Sequence, residues 1–227
     1  MSPDAVAAVR AGDVSTLTRL LAEDPSLATA RPDGARTLLH VVTDWPGGFP
    51  NGPEVVRVLV AAGADVDAPF VGAHSETPLH WAASSDDLPV LDALLDAGAA
   101  IDATGGVIAG GTPLSDAVAF GCRGAAQRLV ERGASMRPAE AAALGLLDRI
   151  PPQLSAEELD LCFWYACHGG SRAAAELLLP RGARLDHLPS WERLTPLDAA
   201  ERAEASSLVE WLREQGAHRA VELDPTS

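Results

Sequence analysis

The sequence predicts an all-α fold, a solenoid of stacked helix-turn-helix units with hairpin or loop fingers between them. Three observations carry this. An opening tetrapeptide recurs as Thr37-Leu38-Leu39-His40, Thr77-Pro78-Leu79-His80, Thr112-Pro113-Leu114-Ser115 and Thr195-Pro196-Leu197-Asp198. A closing dipeptide recurs as Gly63-Ala64, Gly98-Ala99, Gly133-Ala134, Gly182-Ala183 and Gly216-Ala217. Thr77 and Thr112 stand 35 residues apart, a period proper to repeat architectures.

Each part of the Thr77 unit has a physical reason. Thr77 can cap a helix through its hydroxyl, and Pro78 then takes the first helical position, where a missing N–H costs nothing. Leu79, Ala82 and Ala83 follow at helical spacing, and the alanines admit a close neighbouring helix. Ser84-Ser85-Asp86-Asp87 makes a polar turn. Val90, Leu91, Leu94 and Leu95 mark the apolar stripe of a second helix, which Gly98 closes in a left-handed conformation. Two short helices cannot bury such stripes alone, so copies must stack on both sides.

The run Thr77-Pro78-Leu79-His80-Trp81-Ala82-Ala83, with Gly63-Ala64-Asp65-Val66-Asp67 before it, resembles the ankyrin repeat family, whose period is about 33 residues. The resemblance covers nearly the whole chain. It also looks like stand-alone bacterial ankyrin proteins with an Asp-Trp-Pro-Gly turn and a Glu-Thr-Pro-Leu-His-Trp-Ala-Ala core. It implies a single ankyrin-repeat domain over residues 1–227: a capping repeat at 3–36, repeats at 37–76, 77–111 and 112–135, a short degenerate one at 136–160, another at 161–194 and a C-terminal cap at 195–220. Val6, Val9, Leu17, Leu20 and Leu21 give the first segment the one-sided pattern of a cap whose outer face meets water. In the compressed segment, 139–144 and 146–150 can form short helices, Pro151-Pro152 stops the second, and Ser155-Ala156-Glu157-Glu158 reads as a capping box. Counting back 21 residues from Gly182, the spacing of Gly133 from Thr112, puts Leu161 at the threonine position and Trp164 at that of the histidine.

Composition bounds the function. A net charge of −15 argues against nucleic acid and against an anionic membrane, both of which need a basic face. All 17 basic residues are arginine, which removes Schiff-base and lysine general-base chemistry and points to a GC-rich bacterial genome. Cys122, Cys162 and Cys167 are odd in number and lack framework spacing, as expected of small buried residues in a reducing cytosol. No ligand pair has zinc-site spacing, so neither a metal nor a cofactor is expected. The N-terminus lacks a basic region followed by an apolar run, and no stretch is long and apolar enough to span a bilayer; the expected location is cytoplasmic.

The resemblance also implies where contacts lie. In ankyrin proteins the finger before the threonine and the turn after the paired alanines vary to suit the target. His74, Glu76, Ser84 and Ser85, with Asp44 and Trp45 one repeat earlier, are thereby expected to line one patch of the concave face, with Asp86 and Asp87 adding acidity at its edge. The insertion Pro46-Gly47-Gly48-Phe49-Pro50-Asn51-Gly52-Pro53 is either a tolerated surface loop or a wall beside that patch, anchored by Trp45 and Phe49. His40 and His80 belong to the repeat's own tetrapeptide, where the family uses the imidazole to hydrogen-bond neighbouring backbone, and Trp81 is expected to lie packed between repeats. Asp116 sits near the stacking face, where a carboxylate needs a partner, and Phe120 is at a variable turn position. The segment 104–111, with four glycines, reads as a flexible finger; it lacks the setting and lysine of a phosphate loop. Phe163 and Tyr165 read as a plug beside the short repeat, Trp164 and His168 as contact candidates.

The expected function is a binding module that recognises a partner protein with a basic and apolar face. Its contacts are Asp44, Trp45, Phe49, His74, Glu76, Ser84, Ser85, Asp86, Asp116, Phe120, Trp164 and His168. The alternative is a small-molecule pocket or acid–base active site beside the 44–53 loop, with Asp44, His74 and Glu76 as acid and base; no catalytic residue is otherwise assigned. A pocket would bring those three together in a concavity of about 300–1,000 Å³, whereas a protein-binding surface would spread them along an open face.

Overall fold

A computed structural model describes residues 3–223. Regular structure among them is entirely helical, and the chain divides into two compact units, residues 1–135 and 136–227.

The first unit is built of four helix pairs: α1 (Pro3–Ala11) with α2 (Val14–Glu23), α3 (Leu38–Val42) with α4 (Gly52–Ala61), α5 (Pro78–Ser84) with α6 (Leu88–Asp96), and α7 (Pro113–Ala119) with α8 (Arg123–Glu131). The first members touch in succession, α1 to α3 to α5 to α7, and the second members do likewise, giving two helical layers with the core between them. Leu39, Leu79 and Leu114 from the first layer and Leu59, Leu91, Leu94 and Leu129 from the second are all fully buried. Each such leucine contributes roughly 1.5–3 kcal/mol on leaving water. Ala82, Ala83 and Ala117 are sealed as well and let adjacent helices approach closely.

The tetrapeptide works as a modified capping box. Thr37, Thr112 and Thr195 accept a hydrogen bond on Oγ1 from the backbone N–H three residues on. In return the fourth side chain accepts from the threonine's own N–H: His40 Nδ1 at 3.3 Å, His80 Nδ1 at 3.1 Å, Ser115 Oγ at 3.2 Å and Asp198 Oδ2 at 2.9 Å. A backbone N–H can only donate, so Nδ1 of both histidines is unprotonated and the proton sits on Nε2. His40 Nε2 donates to the Glu76 carbonyl at 3.1 Å and His80 Nε2 to the Gly111 carbonyl at 3.2 Å. Each imidazole thus ties its helix start to the next finger. At the other end Gly63, Gly98 and Gly133 close the second helices at φ 96°, 93° and 94°, a region that costs other residues strain.

Fingers are hydrogen-bonded loops rather than strand pairs. In the 104–111 finger Gly105 N and Gly106 N donate to the carbonyls of Gly110 and Gly111, and Ser75 N donates to the Gly105 carbonyl. The 44–53 insertion is also tied down. Gly47 N donates to the Asp44 carbonyl, Gly48 N to Asp87 Oδ2 at 2.7 Å and Asn51 Nδ2 to the Gly12 carbonyl at 2.9 Å.

The second unit contains α9 (Pro138–Leu144), a 3₁₀ turn (Leu147–Arg149), α10 (Ala156–His168), α11 (Arg172–Leu178), α12 (Pro196–Arg202) and α13 (Ser206–Glu214). Ser155 and Glu158 form the expected box. The helix they open does not stop at the 160/161 frame boundary, however. It runs on for 13 residues to His168, because no breaker falls between Ala156 and Cys167. The segment 146–150 is a single 3₁₀ turn, too short for an apolar stripe. The Trp164 indole Nε1 donates to the Leu194 carbonyl at 2.9 Å, as the His40 and His80 Nε2 atoms donate to carbonyls in the first unit.

Candidate functional site

In the first unit the expected patch gathers around a concavity of about 240 Å³. Asp44, Trp45, Glu76, Ser84, Ser85 and Phe120 line it, joined by Thr43, Trp81 and Val107. The turn after α3 supplies Asp44 and Trp45, the segment before α5 supplies Glu76, the end of α5 supplies the serines, and the C-cap of α7 is Phe120.

Glu76 is buried at the base of this arrangement, and its contacts define the site. Oε2 accepts from Trp81 Nε1 at 2.7 Å and Oε1 from Val107 N at 2.9 Å. The same residue's backbone carbonyl takes His40 Nε2 and, at 2.7 Å, Phe70 N. Trp81 stands edge-on to His40 with centroids 5.1 Å apart and tilted against Phe70 at 5.7 Å. Helix α5 and the glycine-rich finger are therefore joined through one carboxylate. Trp81 and Val107 were not foreseen as site residues. The signal for Trp81 was an indole N–H on a stacking face, which requires an acceptor, and Glu76 is the nearby carboxylate. For Val107 the sequence holds no signal, since its contribution is a backbone N–H.

His74 does not line the concavity. Its ring stacks on Phe70 with centroids 4.5 Å apart, and Nδ1 lies 3.2 Å from Glu76 Oε2. Asp116 is fully buried, with both carboxyl oxygens sealed from solvent and without hydrogen-bond partners of good geometry. Burial, and then the neighbouring Glu76 carboxylate, push its pKa up to about 8, so it is protonated at neutral pH. Gly106 lies directly over it: a Cβ there would come within 2.8 Å of both oxygens. Asp116 is thus a support for the finger, out of reach of a partner.

Asp44 faces the concavity with its charge already matched. Its Oδ2 lies 2.7 Å from Arg36 Nη1 and 3.4 Å from Arg10 Nη2. The Ser84 and Ser85 hydroxyls donate to the Trp81 carbonyl at 3.2 and 2.8 Å. Around these groups stand large exposed apolar side chains, Trp45 at 81%, Phe120 at 54% and Val107 at 51%.

Other expected contacts have structural roles. Asp86 caps α8 from the preceding repeat, its Oδ1 accepting from Ala125 N at 2.6 Å. Asp87 caps α6 through Val90 N and also holds Gly48 of the insertion. Neither lines the concavity, because both carboxylates are turned to backbone N–H groups. Phe49 is half-buried in the insertion and likewise absent from the lining. Trp164 and His168 belong to the second unit. There Trp164 is buried, stacks on His168 at 5.3 Å and meets Trp191 edge-on at 5.8 Å, while the Arg202 guanidinium lies 5.9 Å over its ring and pairs with Glu192. Trp191, 58% exposed, is the accessible member of that cluster.

Among the described residues no group of His, Cys, Asp or Glu side chains is arranged to hold a metal ion, and no helix is long and apolar enough to cross a membrane.

The family described as ankyrin repeats (3 copies) matches residues 5–105 and 49–139, which together span more than half of the chain. Palmitoyltransferase Hip14 of Drosophila melanogaster is 34% identical over 118 residues, covering 52% of this chain and 17% of that protein. The chain therefore spans less than a fifth of that relative's length. Among solved structures, the human ASB11 ankyrin repeat domain superposes with a TM-score of 0.57 at 24% identity, over 100% of this chain and 94% of that one. At that identity the likeness is one of fold.

Proposed function

The chain belongs to the ankyrin repeat family, and from that premise we propose that it is a binding module whose face around Trp45 and Phe120 recognises a partner protein with a basic and apolar surface. Ankyrin repeats are in general protein–protein interaction modules. The observation that carries the reading for this chain is the ring of exposed apolar side chains, Trp45, Phe120 and Val107, set around a buried carboxylate. Large aromatic side chains left in water beside an acidic group match the anchor composition of protein interfaces. The net charge of −15 favours a basic partner.

The small-molecule and acid–base alternative has less support. The concavity, about 240 Å³, is smaller than the roughly 300–1,000 Å³ of ligand pockets. Of the three acid–base candidates, His74 stands outside it and Asp44 is held by arginine.

We extend the repeat reading to the second unit, to which the family match does not reach beyond residue 139. The Thr195 capping box and the Trp164 substitution support that extension. The proposed setting is a bacterial cytoplasm. Cys122, Cys162 and Cys167 are all free, as suits a reducing compartment, and arginine-only basic residues suit a GC-rich genome.

Capture from the source cell's lysate tests the reading. The intact chain is compared with a Trp45→Ala, Phe120→Ala double variant, whose exposed positions leave the core untouched. A protein carrying a basic segment should be retained by the first and lost from the second. Equal retention of every captured protein by both would refute the proposed face.

A further inference from the structure

We infer that the concavity receives a single arginine side chain of the partner, its guanidinium entering among Trp45, Trp81 and Phe120 and pairing with Glu76. This rests on the protein-binding reading and names the chemistry of its central contact.

Size comes first. At about 30 Å³ per liquid water, the concavity holds the volume of about eight water molecules, enough for one long side chain and too little for a helix face. Charge comes second. Two carboxylates face the space, and only Asp44 is matched by arginines, Arg36 and Arg10. Among the described residues Glu76 is ion-paired with no arginine and has only His74 Nδ1 beside it, 3.2 Å from Oε2, so its carboxylate is the charge a cation would meet. Geometry comes third. Trp81 Nε1 and Val107 N each occupy one oxygen. A carboxylate offers about four lone-pair sites; with Trp81 Nε1 and His74 Nδ1 both at Oε2, Oε1 is the oxygen with room for a further donor. The bonds from Trp81 and Val107 also fix the carboxylate in place, which lowers the ordering cost of binding.

The surrounding groups favour guanidinium over ammonium. A planar, weakly hydrated cation stacks on indole and phenyl faces while donating a charge-assisted hydrogen bond, whereas a lysine ammonium retains its water and acts as a point charge. The chain contains the same three-part arrangement in its second unit, assembled from its own residues. There the Arg202 guanidinium lies 5.9 Å over the Trp164 ring and is ion-paired with Glu192.

The test titrates N-acetyl-L-arginine amide into the full chain and follows the indole N–H signals by NMR. The neutral isostere N-acetyl-L-citrulline amide and N-acetyl-L-lysine amide serve as comparisons. The Trp45 and Trp81 signals should move with the arginine probe, with a Kd on the order of 1 mM for so small a ligand. Citrulline should bind at least about tenfold more weakly, and lysine more weakly than arginine. Trp45→Ala and Phe120→Ala should each weaken the arginine response, as should Glu76→Gln. Equal shifts with citrulline, equal binding of lysine, or an arginine response indifferent to Trp45→Ala and Phe120→Ala would each overturn the assignment. A captured protein that depends on Trp45 and Phe120 while the arginine probe fails would sink this inference and leave the binding face standing. Captured proteins indifferent to that double variant would remove the face itself.

Discussion

Asp116 is a carboxylic acid stored neutral inside a protein of net charge −15, and its titration has a sign that can be worked out. Burial, then Glu76, push its folded pKa up to about 8, against about 4 in the unfolded chain. Between those values the folded state holds the proton and the unfolded state does not, so this group's contribution falls as pH rises from 4 to 8 and is flat beyond. The slope is about 1.4 kcal/mol per pH unit at most. Thermal melts of Asp116→Asn between pH 5 and 9 should therefore lose less stability toward alkaline pH than those of the natural chain; parallel curves would show that Asp116 ionises as an ordinary carboxylate. The buried histidines act at the other end. Burial, opposed by the hydrogen bond to the Glu76 carbonyl, holds His40 down to about 4, and burial likewise lowers His80. Their stabilisation is present above about 6.5 and is lost as pH falls below it, for His40 down to about 4. His80→Ala should cost about 2–4 kcal/mol at pH 7.5 by urea unfolding, since it leaves a cavity and unpairs both the Thr77 N–H and the Gly111 carbonyl.

At the scale of elements, the glycine-rich finger is a fitted part rather than a loose one. Gly106→Ala would bring a methyl group within 2.8 Å of both Asp116 oxygens. The finger must then shift, at about 1–3 kcal/mol, and the Trp81 indole signal should move with it, since Val107 and Trp81 share Glu76. An unchanged indole signal would mean that the finger and the floor are independent. Asp86→Ala removes the acceptor at Ala125 N; it should cost about 1 kcal/mol and speed hydrogen exchange in the first turn of α8. These contacts mark the limit of what was legible in the sequence. Helices whose caps and stripes recur, such as α5 and α7, could be placed from their own residues, because capping and periodicity act within a few positions. α10 could not be bounded that way, since a favourable box at Ser155 and an unbroken run of helix formers outweighed the repeat frame. The Arg10–Asp44 and Asp86–Ala125 contacts join residues 34 and 39 positions apart, and nothing local announces such a partner. The candidate patch was legible where it depended on repeat positions, as at Trp45, Glu76 and Phe120. The sequence did not show the capping bonds of Asp86 and Asp87, two carboxylates expected at the patch edge that hold backbone N–H groups outside the concavity.

For the molecule as a whole, the excess of 32 acidic over 17 basic residues sets a long-range field as well as local pairs. Association with a basic partner should be accelerated at low salt, and raising ionic strength shortens the Debye length from about 30 Å at 0.01 M to about 3 Å at 1 M. The association rate should fall by at least about tenfold across that range while the dissociation rate changes little; stopped-flow measurements at several salt concentrations separate the two. A dissociation rate that carried most of the salt effect would place the charges inside the contact. The position of Glu76 has one more consequence, for how such a surface can diverge. Its carbonyl serves His40 and Phe70, its carboxylate serves Trp81 and Val107, and its charge adds to the burial that raises the pKa of Asp116. A change there must be accommodated in three loops at once, so it is a poor place for drift. Trp45 and Phe120 instead project into water from the turns that follow α3 and α7, and their exchange disturbs little behind them. Variation in a lineage, or in a randomised library, can therefore retarget the face through these two positions while Glu76 keeps its shape.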